Sequence, residues 1–439
     1  MCPFVKIQRM IYWPYPLHFL KVIMRPPRRN HVAIQALALL LSIPLSTTAL
    51  AAADGKHGPL YERAGAAKPQ FISLLQKLVN VDSGTGSEKG LDQVGAMVAE
   101  EMKKRGMQVE LISAAPAAGH NLVGTLKGKG KAKILLMAHM DTVFADGTAA
   151  ARPFRIEGER AYGPGVMDDK GGIVMALEAI GLLQAMKFDD FAQLTLMVNT
   201  NEETFSKGSY ALIEKLAKAH DVTLSMEPGR PADGLVIWRK GSGDLRIDVK
   251  GKSSHAGVAP EAGRNAAMEA AHQMLQMADL GDSSKGTTVN FTVFQSGERS
   301  NVIPDTAVVR GDMRVREVAE FARVEQAMAQ LAHKQLIAGT QVTTSVNRGM
   351  APMSDNPATQ ALAARAQAIY GELGMKLTME GSGGAGDANY TSGVGAPTLD
   401  GFGIVGGNIH TENEYAELNS IVPRLYLLTR MIEDLSSKH

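Results

Sequence analysis

Past the first fifty-odd residues, apolar positions keep two spacings in turn. Helical spacing runs through residues 71–78 and 91–105, an unbroken apolar strand through 134–140, helical spacing again through 173–186, and a second apolar strand through 194–199. Strands without a polar face, separated by helices, predict a mostly parallel sheet covered by helices, since crossover connections bury both faces. Ligands of such sheets collect at the carboxyl ends of strands, where His139 and the pair Glu202-Glu203 fall.

Between about 240 and 350 the texture changes. A strand at 245–249, a helix near 265–278, strands at 289–294 and 308–315, a helix near 318–337 and a strand at 342–346 give the order strand-helix-strand-strand-helix-strand, a ferredoxin-like unit. A helix over 358–370 and the glycine-rich stretch 381–387 then lead to His410. The expected fold is α/β, with a discontinuous catalytic domain (54–240 and 351–439) and an inserted α+β lid (241–350).

The beginning of the chain has the layout of a secretory signal peptide, expected over residues 1–53. Arg25, Arg28 and Arg29 precede the apolar stretch 32–45, and Ala49, Ala51 and Ala53 offer cleavage sites, with Met24 as the expected start. Pro44 interrupts a run already short for a membrane span, so no membrane attachment is expected after cleavage, and the location is periplasmic or secreted. Cys2 is the only cysteine, which excludes a disulfide framework and a thiolate-rich metal site. With 46 Lys+Arg against 45 Asp+Glu and 5% aromatic residues, a nucleic-acid partner is not expected.

Histidine and carboxylate therefore remain as candidate metal ligands, and His139, Asp168, Glu203, Glu227 and His410 are enough to hold two ions around one water. None is informative alone. A His-x-Asp pair is commonly structural, Glu202-Glu203 alone reads as a solvated acidic pair, and Asp168-Asp169-Lys170-Gly171-Gly172 also reads as a turn feeding a helix. Position changes this: Asp141 can face the second nitrogen of His139 and fix its tautomer, and neighbouring glutamates at a strand end diverge, one to metal and one to water.

Tyr162-Gly163-Pro164-Gly165-Val166-Met167-Asp168-Asp169-Lys170-Gly171-Gly172, together with His139-x-Asp141, Glu202-Glu203, Ser254-His255, Ser300-Asn301-Val302-Ile303-Pro304 and His410, resembles the metallopeptidase family of glutamate carboxypeptidases, aminoacylases and succinyl-diaminopimelate desuccinylases. The resemblance spans nearly the whole chain beyond the leader. It implies that Asp168 bridges two zinc ions, that His139 and Glu227 complete one coordination shell, and that Glu203 and His410 complete the other. Cobalt or manganese suits the same ligands. It further implies Glu202 as general base, a cis peptide between Asp168 and Asp169, and His255 as oxyanion donor, often across a dimer interface built by the lid. Three carboxylates against two dications leave about one positive charge, which favours hydroxide at neutral pH.

Asn301 and Arg314 match lid residues that grip the substrate's free carboxylate, although Arg314, alternating with Asp312 and Arg316, equally fits a solvent-facing charge ladder. Lys240 and Arg348 fit either an acidic side-chain contact or a hinge. The wording of Trp238-Arg239-Lys240-Gly241, Asn347-Arg348-Gly349 and Gly386-Asp387-Ala388-Asn389-Tyr390 is nearest the glutamate carboxypeptidases. The resemblance thus implies cleavage before a C-terminal amino acid, glutamate preferred, in short peptides or N-acyl amino acids. The nearest alternative is an N-acyl-amino-acid deacylase or desuccinylase. An inactive periplasmic binding protein on the same fold is the alternative of another class, disfavoured because all five ligands and Glu202 are present.

Overall fold

The computed structural model describes residues 58–437, so the expected leader, its cleavage sites, the Met24 start and Cys2 lie outside the described residues. Helices α1 (Gly58–Val79) and α2 (Glu88–Lys104) lead into strands β1 (Gln108–Ser113), β2 (His120–Lys127) and β3 (Lys133–His139). Helix α3 (Lys170–Ala185), strand β4 (Gln193–Asn199), helix α4 (Tyr210–Ala219) and strand β5 (Val222–Ser225) follow. Among the described residues these strands, with one from the far end of the chain, form a six-stranded sheet; β3 pairs parallel with β4 on one side and with β5 on the other.

The chain thus passes from β3 to β4 and back across β3 to β5, which opens a crevice at the carboxyl end of β3. Every residue of β3 after Lys133 is buried, which is why its sequence shows no polar face. Helix α3 is apolar nearly all round because it packs between α1, the C-terminal helix and β3. The sheet is wider than the apolar runs predict. β1 is a largely exposed edge strand paired antiparallel with β2, so it carries little hydrophobic signal.

Strand β6 (Gly234–Arg239) ends at the crossing into the lid, made of β7 (Gly241–Lys250), α5 (Ala266–Met277), β8 (Thr288–Ser296), β9 (Thr306–Val315), α6 (Ala319–Ala332) and β10 (Gln341–Arg348). Its antiparallel order β8-β9-β7-β10 is that of a ferredoxin-like sheet. The lid has its own core, including Leu245, Ile247, Val309, Met313, Phe321 and Met328. α6 stops short of the predicted 337 because the Leu336 and Ile337 N–H groups donate to the Glu269 carboxylate instead of continuing the helix.

The chain then returns through α7 (Pro357–Gly371), β11 (Thr378–Ser382), α8 (Asp387–Gly393), β12 (Thr398–Leu399) and α9 (Ile421–Ser436). β11 lies parallel to β6 and β12 parallel to β5, so the late segment completes the domain begun before the lid. The loop bearing His410 is thereby carried back to the crevice. No helix among the described residues is long and apolar enough to cross a membrane.

Candidate metal centre

His139 closes β3, and its Nδ1 lies 3.0 Å from the Asp141 carbonyl oxygen and 3.3 Å from Asp141 Oδ1. Nε2 is thereby aimed into the crevice, 3.0 Å from Asp168 Oδ1 and 3.6 Å from Glu227 Oε1. The other oxygen of Asp168, Oδ2, lies 3.2 Å from Nε2 of His410, which is itself 3.2 Å from Glu203 Oε2. One carboxylate thus faces two separate histidine–glutamate pairs.

Glu202 and Glu203 do not sit on the strand; they open a single 3-10 turn, Glu202–Thr204, just beyond β4. Asp141 fixes that turn as well as the imidazole. Its Oδ1 accepts the Glu202 N–H at 3.0 Å, and Oδ2 accepts the Glu203 N–H at 3.2 Å and the Thr85 hydroxyl at 2.7 Å. The two glutamates then diverge as expected: Glu203 meets His410, while Glu202 groups with His139 and Glu227.

The Asp168–Asp169 peptide is cis. Glu414 holds the segment leading to it, accepting the backbone N–H groups of Gly165, Met167 and Asp168 at 3.1, 2.9 and 3.1 Å. Asp169 Oδ2 accepts the His139 N–H at 3.2 Å, whereas Oδ1 has no hydrogen-bond partner. Burial raises this carboxyl well above its ordinary value. Gly172 must be glycine: a Cβ there would lie 2.0 Å from Asp169 Oδ1.

Taken as protein alone, the cluster is over-supplied with carboxylates. Burial drives Glu202 well above its ordinary value, with Glu227 adding to the rise, and drives Glu227 up to about 7. Asp168 is held well below its ordinary range, because hydrogen bonds from His139 and His410 outweigh burial. The carboxylates of Asp168 and Glu203 lift His410 to about 10; for His139, burial opposes the rise but Asp141 and Asp168 overcome it. Crowded anions that draw protons onto their neighbours also suit dications. Ligand atoms of His139, Asp168 and Glu203 lie within 4.8 Å of one another, as do those of His139, Glu202 and Glu227, and imidazole with carboxylate is a zinc-compatible donor set. The residues present fit a metal pair.

The cavity over this cluster holds about 380 Å³ and is lined on the lid side by Arg314, opposite Asp168, Glu202, Glu227 and Arg239. Arg314 also donates to Asp312, so it is at once part of a charge ladder and part of the cavity wall. His255 and Asn301 do not line the cavity of this chain. They neighbour each other elsewhere on the lid, where the Asn301 carbonyl accepts the Ala256 N–H at 2.9 Å. Of the pair expected to grip the substrate's carboxylate, Arg314 lines this cavity and Asn301 does not, while His255 is expected to act across a dimer interface. Arg348 pairs with Glu325, and Lys240 stands at the domain crossing; neither lines the metal cavity. Arg348 borders a larger neighbouring cavity of about 700 Å³, which shares Phe205 with the first but contains none of the clustered ligands.

Residues 135–434 match the model of peptidase family M20/M25/M40. The chain belongs to this family. It is a metal-dependent peptidase whose substrates are peptides. It is 35% identical over 404 residues to carboxypeptidase G2 of Pseudomonas sp. strain RS-16, covering 91% of this chain and 97% of that one. It is 26% identical over 382 residues to the succinyl-diaminopimelate desuccinylase of Gluconobacter oxydans, covering 81% and 95%. The fold is shared with a Bacillus subtilis protein described as a dinuclear metal-binding peptidase of the M20 family, at TM-score 0.66 and 12% identity over 85% of this chain and 99% of that one.

Several residues central to this peptidase's site are not singled out by the sequence alone, although Arg239 and Asp387 stand in stretches that carry the resemblance. Arg239 donates through Nη2 to Glu227 Oε2 at 3.1 Å, at the cavity wall, and through Nε to the buried Asp400 Oδ2 at 2.6 Å. Asp387 accepts hydrogen bonds from Ser206 and Asn199 behind the Glu202-Glu203 turn. Neither these nor Glu414 stands in a spacing that distinguishes it from a surface charge.

Proposed function

We propose that the chain is a two-zinc metallopeptidase that hydrolyses the amide before a C-terminal amino acid, glutamate preferred, in short peptides or N-acyl amino acids. The observation that carries this reading is Asp168, whose two oxygens face separate histidine–glutamate pairs. His139 and Glu227 would hold one zinc, Glu203 and His410 the other, and Asp168 both. When bound, the pair supplies Lewis acidity to the scissile carbonyl and acidity to a water.

Glu202 takes the proton of the attacking water and passes it to the leaving nitrogen, a double task suited to a carboxyl that burial has made more basic. Asp141 keeps His139 in register. Arg314, the lid cation in the cavity wall, grips the free carboxylate of the departing residue. The similarity to carboxypeptidase G2 supports the carboxyl-terminal direction.

His255 acts in this reading on the site of a second copy, the two lids forming the dimer contact. Its Nδ1 accepts the Gly257 and Val258 N–H groups at 3.2 and 3.1 Å, which places the proton on Nε2 and makes that nitrogen a donor suited to an oxyanion. Val258 beside it is 79% exposed, an apolar side chain that a partner lid would cover. Export to the periplasm after removal of residues 1–53 completes the proposal.

Rates on acyl-glutamate, acyl-leucine and acetylornithine test it. Acyl-glutamate is expected to turn over fastest; acetylornithine as the best substrate would make the protein a deacylase, and no turnover of any would overturn the reading.

A further inference from the structure

Asn389, on the first turn of α8, is fully buried, and each polar group of its amide is used. One nitrogen donates to the Lys240 carbonyl at 3.1 Å and to the Ala351 carbonyl at 2.7 Å, while the oxygen accepts the Gly386 N–H at 3.0 Å. Lys240 and Ala351 flank the two points where the chain enters and leaves the lid, so a single side chain clasps both crossings.

From the crossings the connection to the lid wall is short. Ser242 donates its N–H to the Met350 carbonyl and accepts the Gly349 N–H, each at 3.0 Å, and it is the register partner of Arg314 on β9. In the other direction, Gly386 leads to Asp387, whose carboxylate accepts from Ser206 and, at 2.8 Å, from Asn199. Asn199 Oδ1 in turn accepts the Asn201 N–H at 3.0 Å, immediately before Glu202. Phe205 and Ser206 have φ of 66° and 48°, so the reversal after the catalytic pair is a left-handed one that this network secures.

We propose that Asn389 is a positioning residue that sets the distance between Arg314 on the lid and Glu202 on the catalytic domain, and thereby selects how far the substrate's carboxylate stands from its scissile nitrogen. The proposal rests on the carboxylate-gripping role given to Arg314 above. Neither end of the ruler touches Asn389. Its amide acts through the crossings and through α8, which is why a change there alters reach without removing a contact to substrate.

The test compares benzoyl-glutamate with its isomer benzoyl-β-glutamate, whose nearest carboxylate stands one methylene farther from the amide nitrogen. In the full-length protein the α isomer is expected to be preferred strongly. Asn389→Ala should reduce the ratio of the two kcat/KM values by about tenfold, the scale on which small misplacements of reacting groups act. Asn389→Ser, which keeps one donor and is the gentler change should the alanine variant not fold, should give an intermediate ratio. Zinc content should be unaltered in both. A ratio within twofold of wild type in the folded variants, whatever the absolute rates, would overturn the proposal, because loss of fold alone lowers both rates together. Wild-type protein inactive on both isomers, and on the wider panel above, would overturn the peptidase reading and this inference with it. Wild-type activity with an unmoved ratio would overturn this inference alone.

Discussion

Arg239 holds the outer oxygen of Glu227 at 3.1 Å, so only Oε1 is left to face His139. The guanidinium is 5% exposed and is itself clamped by Asp400, which is fully buried. Arg239→Met should free Glu227 to swing and strip the buried Asp400 of its cation, leaving it only the Gly401 N–H. The expected cost is about 3–5 kcal/mol of stability, as for other buried pairs broken on one side, read by denaturant melts. Adding Asp400→Asn should recover part of that loss.

Asp141 ties the His139 ring to the backbone of Glu202 and Glu203. Asp141→Asn keeps the shape but replaces one accepting oxygen with an amide. Activity should fall about 10–100-fold, with weaker zinc retention against a chelator, as for other residues that orient a metal-binding histidine. Unchanged chelator resistance would separate the turn from the imidazole as its main task.

Glu202→Gln removes the proton carrier without changing size. Turnover should collapse by at least about 100-fold, the contribution expected of a positioned acid–base group, while bound zinc is retained. Unchanged turnover would remove Glu202 from the chemistry.

Lys170 is fully buried at the start of α3, donates to the Val81 carbonyl at 2.8 Å, and is pulled by burial from 10.5 to about 8. Between about 8 and 10.5 the unfolded chain keeps a proton that the folded chain has lost, so unfolding takes protons up and stability should rise with pH across that window. Lys170→Met should flatten this rise in urea melts performed across the same range.

The parts of the fold readable from the sequence are those where burial leaves no ambiguity. β3 and β4 are buried along nearly their whole length because helices cover both faces, and the lid shows its alternating strands because one face is wet. The edge strand β1 was invisible for the opposite reason, being mostly exposed. The five candidate ligands and Glu202 were legible because they follow strand ends or stand in a recognisable motif. The roles of Asp387, Glu414 and Asn389 were not, even though Asp387 and Asn389 stand in a family-like stretch, because their partners lie far off in the chain. Asp387 meets Asn199 across 188 residues, Glu414 meets Asp168 across 246, and Asn389 meets Lys240 across 149. No local spacing encodes such meetings. His255 and Asn301 were readable only through resemblance, and one chain does not place them in the metal cavity.

The central claim is that Asp168 serves two cations at once, one with His139 and one with His410. Elemental analysis of the purified protein and of a His410→Ala variant, after identical exposure to zinc and removal of excess, tests it most directly. The account predicts two equivalents of zinc per chain in the wild type and close to one in the variant. Equal zinc in both proteins, or none in the wild type, would contradict it.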